Sequence, residues 1–163
     1  MMLLSTAISR AEAEEFIYAE ARLADDHQYD AWEALWADDG VYWVPAGHGS
    51  AENADERISV IYDNRSRITL RVAQLKTGKR HSQDPVSNVA RVISNVEIIR
   101  GDSHSAETRA SFIAVESRIR GLTTWAGSVG HTLIRTEAGL QMSRKVVLLV
   151  NRDQPLPTLA FLI

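Results

Sequence analysis

The chain has 163 residues, enough for one domain with a sizeable core, and its 45% hydrophobic and 24% charged residues are the balance of an ordinary globular protein. A net charge of -3 argues against a nucleic-acid binder, which needs a basic field. With no cysteine, disulfides, thiol catalysis and every thiolate-held metal centre are excluded.

Leu3 and Leu4 open an apolar stretch that no basic segment precedes and that Ser5, Thr6 and Ser9 interrupt. Neither a signal peptide nor a membrane span is expected there, and the cytoplasm is the expected compartment. Ser9 and Glu12 have the spacing of a capping box, in which hydroxyl and carboxylate satisfy each other's free amides. Phe16, Ile17, Glu20, Ala21, Leu23 and Ala24 then give a first helix with an apolar stripe at Phe16, Ile17, Ala21, Leu23 and Ala24. Asp30 and Glu33 repeat the capping spacing. Trp32, Leu35 and Trp36 follow on one face of a second helix that Asp38-Asp39-Gly40 is expected to end.

Val41 to Val44 reads as a short strand stopped by Pro45, and Gly47 to Asp55 as a surface loop. After the apolar run Ile58 to Tyr62, a third helix is expected from Asn64, with Ile68, Val72 and Leu75 on its buried face and Gly78 at its end. Arg65, Arg67, Arg71, Lys76, Lys79 and Arg80 make this the basic part of the chain. From Val89 the period becomes two. Val92, Val96 and Ile98 are expected on one face, followed by Ala106, Thr108, Ala110, Phe112 and Ala114 in alternation. A strand from Thr123 to Thr136 carries Trp125, Val129, His131 and Leu133 on one side, and Leu140 to Val150 forms the last. Helices first and long strands joined by short turns afterwards make an α+β fold, a twisted, mostly antiparallel sheet curling around the N-terminal helices, in a single domain over residues 1–163.

None of the five histidines, His27, His48, His81, His104 and His131, has a second histidine at ligand spacing. Asp25-Asp26-His27 is the nearest approach to a metal cluster, but adjacent side chains at a helix end diverge, so no metal site is expected. His131 lies mid-strand on an apolar face. It is the candidate for acid–base work, with Asp39 or Tyr42 as partner and with Trp36, Tyr42 and Trp125 lining a pocket beside it. The plainer reading of His131 is a hydrogen-bonded core or interface histidine. The apolar end around Phe161 to Ile163 is expected either to close the open end of the sheet or to dock on a neighbour.

Asp39-Gly40 with Trp43-Val44-Pro45, then Tyr62-Asp63-Asn64-Arg65, Arg71, His81-Ser82-Gln83 and Asn95-Val96 resemble, in order and spacing, the small (beta) subunit of aromatic-ring-hydroxylating dioxygenases. The resemblance runs from about Glu14 to Ile163. Little precedes the first helix, which is closer to the benzoate-type members than to the longer naphthalene-type ones. It implies a cone-shaped cystatin-like (NTF2-like) fold. It also implies three small subunits joined to three large ones in an α3β3 hexamer, with Asn64, Arg65, Arg71, His81, Gln83, Phe161 and Ile163 as interface candidates. In such an assembly the large subunit holds a Rieske [2Fe–2S] cluster and a mononuclear iron, and electrons arrive from a reductase, sometimes through a ferredoxin. A Rieske centre needs two Cys, so this chain holds none and has no catalytic residue under this reading. The competing expectations are a stand-alone dehydratase or isomerase using His131 with Asp39 or Tyr42, or a binding protein for a small apolar ligand in the same pocket.

Overall fold

The computed structural model describes residues 6–47, 58–78 and 86–163. Its first helix, α1 (Arg10–Asp25), opens on the expected capping box: Ser9 Oγ accepts from the Glu12 amide at 3.2 Å and Glu12 Oε2 accepts from the Ser9 amide at 2.8 Å. Glu12 also accepts from the Arg135 guanidinium at 3.0 Å, so the cap ties the helix start to the sheet. Ala13, Phe16, Ile17, Glu20, Ala21 and Ala24 form its buried face.

The second helix, α2 (Tyr29–Glu33), stops earlier than its apolar spacing suggested, and strand β1 runs over Trp36–Pro45. Asp38-Asp39-Gly40 is therefore a bulge inside a strand and not a helix end. The parallel pairing of β1 with the last strand jumps from Trp36↔Met142 to Val41↔Arg144, leaving the residues between them looped out. Gly40 is required there: a Cβ would lie 2.7 Å from Trp36 Cε3. The pairing across the sheet, which periodicity cannot register, overrode the local helical pattern.

Strand β2 (Ser59–Asp63) pairs antiparallel with β1, and α3 (Arg65–Lys76) follows it directly. Asn64 caps α3 through its side-chain oxygen, which accepts from the Arg67 amide at 3.0 Å. Strands β3 (Asn88–Gly101), β4 (Ser105–Arg118), β5 (Gly121–Thr136) and β6 (Gly139–Leu149) are joined by short turns. The six strands form one sheet in the order β2-β1-β6-β5-β4-β3, antiparallel everywhere except between β1 and β6.

The alternation expected for β4 and β5 is present: Ala106, Thr108, Ala110, Phe112 and Ala114 are buried, as are Trp125, Val129, His131 and Leu133. In β3 the expected face is broken. Val92 is 70% exposed while Val96 is buried, because a bulge at Asn95 (φ 55°) shifts the phase between Ser94 and Glu97. The inner face of the sheet, the buried faces of α1 and α3, Trp32 and the segment Phe161 to Ile163 make one core.

Candidate functional site

The interior between α1 and the sheet holds an ionisable cluster. α1 brings Glu20 inward on its apolar face, β6 brings Lys145 and β5 brings His131, and each is at most 2% exposed. Glu20 Oε1 accepts from Lys145 Nζ at 2.6 Å and from Trp32 Nε1 at 2.7 Å. Its Oε2 stands 3.5 Å from His131 Nε2, too long for a good hydrogen bond, and neither imidazole nitrogen has a partner among the described residues. Burial opposes ionisation of Glu20, but the charge of the Lys145 ammonium, with the His131 imidazole and the Arg91 guanidinium nearby, outweighs it and holds the carboxyl well below the usual carboxylate range. Burial pulls the Lys145 ammonium and the His131 imidazole downward, against the attraction of Glu20. The 2.6 Å contact makes Glu20 and Lys145 an ion pair, with a neutral His131 beside it.

The open end of this interior is closed by the chain itself. Tyr42 Oη donates to Ile163 O at 2.8 Å and accepts from the Ile163 amide at 3.0 Å. Burial pushes the Tyr42 hydroxyl pKa upward, so it stays protonated to donate. Arg91, bound to Asp25 at 2.7 Å, also donates to Leu162 O. Phe161 packs edge-on against Trp125 at 5.7 Å between centroids, and Trp125 Nε1 reaches Glu116 at 3.2 Å. The remaining cavity, bounded by Glu20, Phe112, Val129, Lys145, Val147 and Ile163, measures about 10 Å3, at the limit for one water molecule.

The residues expected to line a pocket are thus in place but not around a pocket. Trp36 and Tyr42 pack with Trp32 at centroid distances of 5.7 and 5.9 Å, Trp125 is covered by Phe161, and His131 is sealed. Asp39 is exposed on the β1 bulge and is not brought to His131, while Tyr42 is engaged by Ile163. In this arrangement the cluster is buried, and the Glu20 carboxylate is committed to Lys145 and Trp32.

The interface candidates from the basic segment have intrachain duties. Asn64 caps α3, Arg65 pairs with Glu33 at 2.9 Å, and Arg71 Nε donates to Asp63 at 2.6 Å with both side chains under one-fifth exposed. Phe161 and Ile163 lie in the core. His81 and Gln83 fall outside the described residues, as do Lys79 and Arg80. Sequence reasoning passed over Lys145 and Arg91 and gave Glu20 and Asp25 no part in a buried ion pair. A signal existed for Glu20 and Lys145: Glu20 lies in the apolar stripe of α1, and Lys145 is in phase with Val147 and Leu149 on β6. Among the described residues there is no group of three or more His, Asp or Glu side chains that could hold a metal, and no helix long and apolar enough to cross a membrane.

A family model described as ring hydroxylating beta subunit matches residues 19–153. The beta subunit of toluate 1,2-dioxygenase from Pseudomonas putida is 30% identical over 146 residues, covering 86% of this chain and 90% of its own. The crystal structure of the beta subunit of benzoate 1,2-dioxygenase from Burkholderia mallei superposes with a TM-score of 0.73 at 27% identity, covering 86% of this chain and 90% of that one. An NTF2-like protein with a cystatin-like fold from Novosphingobium aromaticivorans superposes with a TM-score of 0.60 at 20% identity, covering 87% of this chain and 82% of the other.

Proposed function

The chain belongs to the ring-hydroxylating beta subunit family, and from that premise we propose that it is the small, non-catalytic subunit that supports assembly of the iron-containing large subunits of an aromatic-ring dioxygenase. The observation that carries the non-catalytic part is the filled interior. Glu20, Lys145 and His131 face one another behind Tyr42 and the Phe161–Ile163 segment, leaving a cavity of about 10 Å3. A stand-alone dehydratase, isomerase or binding protein would need that interior open to a substrate.

In this reading the redox centres sit in the large subunit, since a chain without cysteine lacks the thiolates of a Rieske cluster. The large subunit would also hold the mononuclear iron, and a reductase or ferredoxin would deliver electrons to it. Three copies of this chain would form a base for three large subunits in the cytoplasm, and a filled, rigid core suits that task. The relatives described above are named for toluate and benzoate, so aromatic carboxylates are the first substrates to assay with the assembled enzyme.

The test is size-exclusion chromatography with light scattering on the chain alone and co-expressed with a Rieske large subunit from the same source. The expected result is a trimer that becomes a hexamer with iron-dependent NADH and oxygen consumption. A stable monomer or dimer that ignores the large subunit would overturn the reading.

A further inference from the structure

Among the described residues, two groups of exposed apolar side chains lie at opposite ends of the sheet. On the outer face over β3, β4 and β5, the cross-strand rows Ala90–Val115–Thr124 and Val92–Ile113–Ala126 carry no ionisable side chain. Val92 is 70% exposed and Ile113 54%. At the other edge, alternate residues of β2 and its approach present Ile58 (84% exposed), Val60 (38%) and Tyr62 (41%). Strands β1 and β6 lie between the two patches, with Arg144 stacked 5.4 Å over the Trp43 ring. At roughly 4.8 Å per strand, β4 and β2 are about 19 Å apart, so neither patch can shield the other within one chain.

The rims carry opposite uncommitted charges. Glu97 is exposed on the outer side just past the β3 bulge, and among the described residues it makes no ion pair, not even with Arg109 opposite it on β4. At the β2 edge, Arg67 reaches only the Tyr62 carbonyl, at 3.4 Å, and has no carboxylate partner among the described residues. Apolar patches of this kind with polar rims mark contact surfaces. A closed ring of identical subunits needs two different complementary patches on each copy, whereas a twofold dimer needs one patch that matches itself.

We propose that the outer face around Val92 and Ile113 receives the β2 edge around Val60 and Tyr62 of the next copy, with Glu97 against that copy's Arg67. This rests on the three-copy arrangement proposed above and assigns the surfaces that close it. Every copy donates its β2 edge in one direction and accepts one from the other.

The test is light scattering on full-length chains, alone and with the large subunit, for the unsubstituted protein, Ile113→Arg, Val60→Arg and an equimolar mixture of the two variants. Circular dichroism checks that each variant is folded. Both positions are exposed, so folding should survive. The expected result is a trimer for the unsubstituted chain, monomers for each variant at the same concentration, and a dimer for the mixture, because one intact Val60–Ile113 interface remains between the two variants. Glu97→Arg and Arg67→Glu should each weaken the trimer, and the double variant Glu97→Arg/Arg67→Glu should restore it. Trimers from both arginine variants, or a mixture that stays monomeric, would overturn the assignment while leaving the subunit reading standing. So would variants that remain trimeric but no longer bind the large subunit, since that partner would then be what covers these patches. An unsubstituted chain that neither trimerises nor joins the large subunit would sink the subunit reading and the assignment with it.

Discussion

Replacing Lys145 by Met tests whether the buried cluster is the electrostatic keystone of the core. Lys145 Nζ is 2.6 Å from Glu20 Oε1, both side chains are 2% exposed, and the carboxylate keeps only the Trp32 indole as a hydrogen-bond donor once the ammonium is gone. Removing one partner of a buried pair costs about 3–5 kcal/mol, because the other charge stays desolvated and uncompensated. With a urea m-value of about 2 kcal/mol per molar, the unfolding midpoint should fall by about 1.5–2.5 M. Glu20→Gln/Lys145→Met should recover most of that loss: the amide oxygen still accepts from Trp32 while both charges are gone, and replacing a whole buried pair is often neutral. The assay is urea unfolding followed by tryptophan fluorescence for the single and double variants. A Lys145→Met midpoint within about 0.5 M of the parent, or a double variant as weak as the single, would refute the reasoning.

His131 should set a pH dependence. Burial lowers its pKa below the ordinary value of 6.5, so the unfolded chain takes up a proton that the folded chain refuses. Stability should therefore begin to fall as pH drops through 6.5 and go on falling until the folded-state value is passed, with a slope of up to about 1.4 kcal/mol per pH unit. His131→Phe should lack that slope between pH 7.5 and 5.5 in urea titrations; an unchanged slope would place its origin elsewhere. Tyr42→Phe removes the hydroxyl that serves both the amide and the carbonyl of Ile163 and should cost about 1–3 kcal/mol, with faster hydrogen exchange at the Ile163 amide by NMR. Asn64→Ala should cost about 1 kcal/mol through loss of the α3 cap, measured by thermal or urea unfolding. Gly40→Ala puts a Cβ 2.7 Å from the Trp36 ring and should cost about 1–3 kcal/mol, with the disturbance visible in tryptophan fluorescence.

Much of this protein was legible in one dimension. The Ser9–Glu12 box, the start of α3 at Asn64 and the inward rows of β4 and β5 all depend on near neighbours, and periodicity reports near neighbours faithfully. The lack of cysteine excluded an iron–sulfur role by composition alone. The extension of β1 back through Asp38-Asp39-Gly40 was not legible, because it depends on parallel pairing with β6, far along the chain. Nor was the phase shift at Asn95, since a bulge conserves local composition while inverting every later side chain. The site followed the same division. Trp36, Tyr42, Trp125 and His131 were correctly expected to face inward, yet whether they surround a pocket or a plug depended on where residues 161–163 dock. Asn64, Arg65 and Arg71 read in the sequence as contact residues, and within the chain they hold α3 to β2 through Asp63–Arg71 and the Asn64 cap, and to α2 through Arg65–Glu33. A charge in a sequence has no partner until the chain folds, and only the tertiary structure decides whether that partner lies within the chain or beyond it.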